Sequence, residues 1–513
     1  MSCHPFQVDE VFRFIVEELV ALNPSSALSL ALCCKTLTDL SLSVLWERQK
    51  KLSTLIKVLP PDAWAYEETD SPAGELVSHH RRQVTALSAQ SFVLQTILRN
   101  ISSQEWESLR KYASWMRELE FLEDEDEISQ DVFDLLLRYP HSRPLCPRLL
   151  KLSWIADSVF GGDFVHFLIP ELREVRLVSR PGTIFSFSHA ISALPISSVK
   201  SLRLSVIADG KSRDAIFSLF KTCPKSLTTL EVVRMDQLRD GSWCRIMILP
   251  RLRSLDTDQF PPSMFPPSCP VFFPSLHQAK FCGPAAPRWI HFLSETCGQK
   301  VTSDTGSRPR IVAPRLSRLY CGYDVKLDGT FISCFRIFRN LSALRLANGC
   351  TRGSCTFRLT DEDITQFAMG LPGLKQLSFG TPCPRNNCLT TVNSLLTLST
   401  YCKGLRELEV HFNTRNLAQD MKESLNNPLR RNSYPPSRCP LVVLDVGLVP
   451  LTADALGRDV FPTLAGLVDI FPQLKGIKYS LAVPGGSWGW GQLAAQLPGF
   501  QQMRRSLPAV FIQ

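Results

Sequence analysis

A short apolar phrase returns along most of the chain: an apolar anchor, often preceded two residues earlier by proline, in the form Leu-x-x-Leu-x-apolar. It reads Pro147-Arg-Leu-Leu-Lys-Leu-Ser-Trp154, Pro170-Glu-Leu-Arg-Glu-Val-Arg-Leu177, Pro314-Arg-Leu-Ser-Arg-Leu-Tyr-Cys321, Pro372-Gly-Leu-Lys-Gln-Leu-Ser-Phe379 and Pro472-Gln-Leu-Lys-Gly-Ile-Lys-Tyr479. The first anchor of each phrase falls at Met116, Leu149, Leu172, Val199, Leu227, Leu252, Leu276, Leu316, Leu341, Leu374, Leu405, Leu441 and Leu474. The last two apolar positions stand two residues apart, so they share one face of a short strand while the residues between and beside them face away. Between phrases the period changes to that of a helix. Ile364, Phe367, Ala368 and Leu371 follow a Thr360-Asp-Glu-Asp363 capping box, and Leu464, Leu467, Val468 and Phe471 repeat the spacing, as do Val132, Leu135, Leu136 and Tyr139.

Strand followed by helix, many times over, predicts a stacked array, because no single repeat can bury its own apolar side. The spacing of successive anchors runs from 23 residues (Leu149 to Leu172) to 40 (Leu276 to Leu316), which overlaps the period of leucine-rich repeats and extends beyond it. The Asn of the standard repeat is missing. The expected fold class is α/β: a leucine-rich-repeat solenoid, a horseshoe with parallel strands on the concave face and helices outside.

The first sixty residues follow a different pattern. Val8, Val11, Phe12, Ile15 and Leu19 fall on one helical face. Asn23-Pro24 opens a second helix, with asparagine as the cap and proline in the first turn. Its stripe is Ala27, Leu28, Ala31 and Leu32; a third helix carries Leu37, Leu40, Val44 and Leu45 and ends near Trp46; a fourth carries Leu52, Leu55, Ile56 and Leu59 before Pro60-Pro61 stops it. The expected organisation is a small all-α module over residues 1–60, a helical connector over 61–105, and the solenoid with its C-terminal cap over 106–513. Several stretches break the repeat: the acidic run Glu123–Glu127, the Pro-rich Phe260–Phe273, the polar Gly298–Pro309, and the loop Asn426–Pro440. Gly485-Gly-Ser-Trp-Gly-Trp490 reads as a seal on the last repeat.

Composition narrows the function. A length of 513 residues exceeds one ordinary core. The net charge of +9 has no concentrated basic stripe, so nucleic acid is not an expected partner. No run is apolar and long enough to cross a membrane. The 17 cysteines have no regular spacing, which points to free thiols in a reducing, intracellular compartment, cytoplasmic or nuclear. Cys350/Cys355 and Cys383/Cys388 have the C-x4-C spacing of loose zinc pairs but read as loop cysteines kept reduced, and His79, His80 and His411 read as surface residues. No phosphate loop, nucleophile elbow or metalloprotease motif occurs; neither a catalytic residue nor a cofactor is expected.

The N-terminal stretch resembles an F-box. Val8-Asp-Glu-Val-Phe-Arg-Phe-Ile-Val-Glu-Glu-Leu19 is similar to its first helix, Leu28-Ser-Leu-Ala-Leu-Cys-Cys-Lys-Thr-Leu37 to its middle, and Ser41-Leu-Ser-Val-Leu-Trp46 to its close. The cadence is most similar to F-box-like domains of mushroom-type fungi, although Val8-Asp9 stands where many F-boxes have Leu-Pro. With long irregular repeats behind it, the chain resembles F-box/leucine-rich-repeat proteins. The resemblance implies a substrate-recognition subunit of an SCF-type ubiquitin ligase that binds a Skp-type adaptor, and through it cullin, with its helices. It implies an adaptor surface drawn from Val8, Val11, Phe12, Ile15, Leu28, Leu32, Leu37, Leu45 and Trp46, some of which must also form the module's own core. A target protein would meet the outward strand positions Arg176, Arg203, Glu231, Asp256, Lys280, Arg318, Tyr320, Arg345, Glu407, Glu409, Asp445 and Lys478. The alternative is a protein-binding repeat scaffold with no ligase role, its first helices serving only as a cap.

Overall fold

A computed structural model describes residues 5–33, 35–68, 92–122, 128–138, 144–155, 163–178, 191–205, 210–221, 225–233, 238, 240–263, 271–298, 311–322, 327–347, 357–380, 388–410, 412–426, 439–447, 449, 451, 456, 460–479 and 488–506. The chain divides into two compact units, Met1–Asp236 and Gln237–Gln513.

The first unit opens with α1 (Pro5–Leu22), α2 (Pro24–Cys33) and α3 (Lys35–Glu47), then β1 (Arg48–Gln49) and the short α4 (Ser53–Ile56). Asn23 caps α2 as expected, its side-chain oxygen accepting from the Ser25 amide at 3.0 Å. Leu52, Leu55, Ile56 and Leu59 are all buried. The described part of 61–105 corrects the expected helical connector. β2 (Trp64–Glu68) and β3 (Phe92–Ile97) pair antiparallel, and the next helix, α5 (Ser103–Trp115), starts only near the end of the segment. Aromatic and β-branched residues in Trp64-Ala-Tyr and Phe92-Val-Leu-Gln-Thr-Ile favour the pleated form over a helix. β4 (Glu118–Leu122), α6 (Gln130–Arg138), β5 (Lys151–Ile155), β6 (Glu174–Val178), β7 (Ser201–Ser205), α7 (Gly210–Lys221) and β8 (Thr229–Val233) complete the unit. Its strands β1 and β4 to β8 pair in parallel, each with the next.

The second unit holds α8 (Asp240–Met247), β9 (Ser254–Thr257), β10 (Val271–Phe272), β11 (Gln278–Cys282), α9 (Ala286–Gly298), β12 (Ile311–Val312) and β13 (Arg318–Gly322). It continues with α10 (Gly329–Ser333), β14 (Ala343–Ala347), α11 (Asp361–Gly370), β15 (Gln376–Ser378), α12 (Val392–Tyr401) and β16 (Glu407–Glu409). α13 (Leu417–Asn426), β17 (Val443–Gly447), α14 (Phe461–Ile470), β18 (Gly476–Tyr479) and α15 (Trp488–Ser506) end it. Strands β9, β11 and β13 to β18 pair in parallel in that order.

Each anchor of the repeated phrase lies two residues before a strand, from Met116 before Glu118 to Leu474 before Gly476. All thirteen are at most 1% exposed. A tight turn sets them there: the amide of Leu149 donates to the Cys146 carbonyl, that of Leu374 to Leu371 and that of Leu474 to Phe471. The carbonyl one residue past an anchor then accepts two amides from the following repeat, as Arg117 does from Leu150 and Lys151. Peptide groups that would otherwise be buried unpaired thus join one repeat to the next. Both units are therefore α/β, built on parallel strands with one side buried, an arrangement compatible with a solenoid.

Aromatic residues fill the inside. In the first unit Phe121 stacks on Trp154 at 4.1 Å, and Phe167 closes on Trp154 at 5.5 Å. In the second, Phe281 stacks on Trp289 at 5.1 Å, and the Trp289 indole donates to the Gln259 carbonyl at 2.7 Å. The Thr360–Asp363 capping box forms as the sequence predicts. Neighbouring Asp361 reaches across to the start of α12, accepting from the Thr391 amide and hydroxyl and from the Ser394 hydroxyl. Of the stripe at 132–139, Val132 and Leu136 are buried and Leu135 is partly exposed, while Tyr139 lies outside the described residues. The acidic run Glu123–Glu127 lies outside them too, as do His79, His80, His411, Cys350, Cys355 and Cys383. Trp490 is fully buried, its indole donating to the Val449 carbonyl at 2.9 Å, whereas Trp488 is half exposed.

Candidate protein-binding surfaces

The N-terminal helices leave a large part of their apolar surface uncovered. Val16, Ala27 and Val44 form the module's core, with Phe12, Leu19, Val20, Leu30 and Leu45 packed around it. The single stripe expected on α1 splits in two. Phe12, Val16 and Leu19 face inward; Val11, Phe14, Ile15 and Leu22 face outward. On α2 the small residues go in and the large ones stay out: Ala27 and Ala31 are buried, while Leu28 is exposed and Leu32 is 80% exposed. Alanine on the inner face lets α2 approach its neighbours closely, and no described residue of the module buries Leu28 or Leu32, although Leu30 packs against the core.

The nine residues of the expected adaptor surface therefore divide. Val11, Ile15, Leu28 and Leu32 are exposed. Phe12 and Leu45 belong to the core. Leu37 is half-buried. Trp46 is half-buried against Tyr112 of α5, ring centres 4.8 Å apart. Val8 lies in α1, its side chain outside the described residues. Phe14 and Leu22 join the uncovered surface without having been expected there. The signal was present, since Val11, Phe14, Ile15 and Leu22 have helical spacing of their own. A helix apolar on two faces, however, does not say which one turns inward.

The module is tied to the repeats of its own unit. Lys111 pairs with Asp39 at 2.9 Å, and the Arg117 amide donates to the Glu47 carbonyl. β1 pairs in parallel with β4, Arg48 opposite Glu118.

The second surface is the outward side of the strands. In the first unit one row reads Arg48, Glu118, Lys151, Glu174 across consecutive strands. The signs alternate and the charges pair: Glu118 with Lys151 at 3.0 Å, and Glu174 with Lys151 at 3.9 Å. The Glu118 carboxylate raises the Lys151 ammonium above its ordinary pKa. The next row holds the expected Arg176, Arg203 and Glu231, side by side on β6, β7 and β8, and Arg203 lies 3.8 Å from Glu231. Residues of these rows from Arg48 to Arg203 line a hollow of about 330 Å³.

In the second unit a continuous row runs Asp256, Lys280, Tyr320, Arg345, Ser378, Glu409, Asp445, Lys478, each opposite the next. Arg318 and Glu407 stand in the adjacent row with Gln278 and Gln376. The register thus brings together the nine positions expected in this unit. Lys280 pairs with Asp256 at 2.7 Å and stands over the Tyr320 ring at 5.9 Å. Ser378 donates to the Glu409 carboxylate. A hollow of about 430 Å³ lies over this face, lined by residues from Gln278 to Lys478.

Burial pushes the thiols of Cys146 and Cys402 up to about 12 and that of Cys439 to about 11. They stay protonated at neutral pH, as apolar fillers. No helix among the described residues is long and apolar enough to cross a membrane.

No protein-family model matches the chain, and no curated protein matches it by sequence. Among solved structures, a chain from the crystal structure of the yeast Rad7 and Elc1 complex aligns with 64% of this chain and 83% of its own length. Its identity is 14% and its TM-score 0.30, a likeness that carries no argument about function.

Proposed function

We propose that the protein is a recognition subunit that uses two surfaces: the uncovered leucine-bearing side of the N-terminal helices for an adaptor of the Skp type, and the outward strand face for a target protein. In a ligase of the kind the F-box resemblance of residues 8–46 implies, the chain would act by holding the target near a ubiquitin-charged enzyme through effective concentration, with no acid or base of its own. One observation carries the reading: Val11, Phe14, Leu22 and Leu32 are each more than half exposed on two adjoining helices. Single exposed apolar side chains are ordinary, but a group of this kind on a small module marks a surface that a partner covers.

The test is co-purification of the full chain with a Skp adaptor, alongside a Leu28→Asp/Leu32→Asp variant. Both positions are exposed, so the variant is expected to fold and melt as the parent does, and to lose the adaptor. A well-folded parent that captures no adaptor would refute the reading. The pairing of β1 with β4 favours a second reading, a repeat scaffold whose first helices only close the end of the array. That reading predicts no adaptor binding and an unchanged target.

A further inference from the structure

The two strand faces differ in how their charges are sorted. In the second unit Arg318 and Arg345 lie on neighbouring strands, diagonal to one another across Tyr320. Neither side chain makes a hydrogen bond or ion pair among the described residues, and the same holds for the Glu407 side chain. Glu407 and Glu409 share β16, and Asp445 is opposite Glu409 on β17. Between the basic and acidic groups lies β15, which contributes only Gln376 and Ser378. From the β13–β14 step to the β16–β17 step is three strand spacings, about 14 Å, and no ion pair joins the two groups among the described residues. The hollow over them therefore has a positive end at Arg318 and Arg345 and a negative stretch at Glu407 and Glu409, while Asp445 stands opposite Lys478 at the far edge.

The positive end is also shaped. A methyl group at Gly322 would meet the Tyr320 ring at 2.7 Å, so the ring lies folded along its own strand over the glycine. Lys280 flanks the same ring from β11. The ring is thus held down, beside the two arginines.

We infer that this hollow binds an extended segment of a protein partner carrying one acidic and one basic side chain roughly four residues apart. The acid is held by Arg318 and Arg345 beside Tyr320. The base is held by Glu407, Glu409 and Asp445. Complementary charge at each end fixes the register and rejects segments of a single sign, since like charges placed together are costly. A volume of about 430 Å³ accepts a few side chains and their backbone, not a folded domain. A polyanion such as nucleic acid would place a phosphate against the acidic end. The inference rests on the reading that the strand face receives a target; it does not depend on the adaptor.

The experiment is selection of a displayed library of random short peptides on the immobilised full chain, followed by sequencing. Peptides with an acid and a base separated by about four residues are expected to be enriched about tenfold over those with the same residues adjacent. Arg318→Glu/Arg345→Glu leaves Lys478 as the one cation among the described lining residues, and selection on it is expected to switch to dibasic peptides. Arg345→Ala, a milder change at an exposed position, is expected to lose the zwitterionic preference without gaining the dibasic one. No enriched spacing, peptides of one sign from the parent chain, or the same peptides from parent and variants would each overturn the inference. Adaptor capture by the same preparations separates the two proposals: a chain that captures the adaptor but shows no peptide preference refutes only this one.

Discussion

The repeats and the N-terminal helices treat apolar side chains in opposite ways. In the repeats the thirteen anchors are at most 1% exposed, and the outward side of the strands is mostly polar, with Leu122, Ile155 and Val443 among the exceptions. In the module, two alanines are buried while Leu32 and Leu22 stand more than three-quarters in water. Both segments have helical or strand periodicity of good quality, so local pattern does not cause the difference. It comes from the number of neighbours. Each internal repeat has one on either side to cover it, whereas three short helices have too little surface to cover all of their own. What the repeats complete internally, the module leaves to be completed by another chain.

The largest effect expected from breaking this contrast is inside the repeats. Trp154→Ala removes a ring that Phe121, Phe133 and Phe167 all touch, and should cost about 3–5 kcal/mol, measured by denaturant unfolding. Next is Asp361→Ala, which strands the Thr391 amide and two hydroxyls between α11 and α12; about 1–3 kcal/mol is expected, read as a lowered melting temperature. Leu32→Asp should fall within about 0.5 kcal/mol of the parent while reducing self-association in light scattering. A destabilisation as large as that of Trp154→Ala would show that the leucine is covered after all. Lys151→Ala, in the alternating ladder, should cost at most about 1 kcal/mol, and less at high salt.

The smallest effect concerns Glu105. The guanidinium of Arg99 and the capping contact with Ser102 hold its carboxyl down at about 2. A carboxylate depressed by folding contributes stability that is present above its ordinary pKa and lost as pH falls towards the folded value. The difference in melting temperature between parent and Glu105→Gln should therefore shrink on acidification from neutral pH. A difference that grows would reverse the assignment.

The repeat was legible because a two-residue offset is a strong constraint. Once Leu-x-x-Leu-x-apolar fixes which residues point inward, the outward set follows, so Arg345, Glu409 and Lys478 could be assigned to the outward face before any pairing was known. The connector was misjudged because Trp64-Ala-Tyr and Phe92-Val-Leu favour strands only once each finds the other, across a gap in sequence. On α1 the periodicity was right and the direction undetermined: Val16, at the core of the module, was left out of the stripe, and the exposed Phe14 was not named. Two apolar stripes on one helix are equivalent until a neighbour is chosen. In the second unit the acidic group from Glu407 to Asp445 was legible in the sequence, but its separation from the arginines was not. Glu407 and Arg345 are far apart along the chain, and only the strand register shows that β15 separates them.

The pairing of Arg48 and Gln49 with β4 has a consequence for solubility. The first full strand of a parallel array offers a row of unsatisfied amides and carbonyls, a template onto which another chain can add. Two residues of β1, with the Glu47 carbonyl accepting from Arg117, occupy part of that row, and the helices behind them hold the segment in place. The N-terminal module thus blocks strand-to-strand polymerisation at this end of its unit. A chain shortened to begin after residue 50 would lose a binding surface and gain a sticky edge, so its failure in a binding assay would report aggregation as readily as a missing contact.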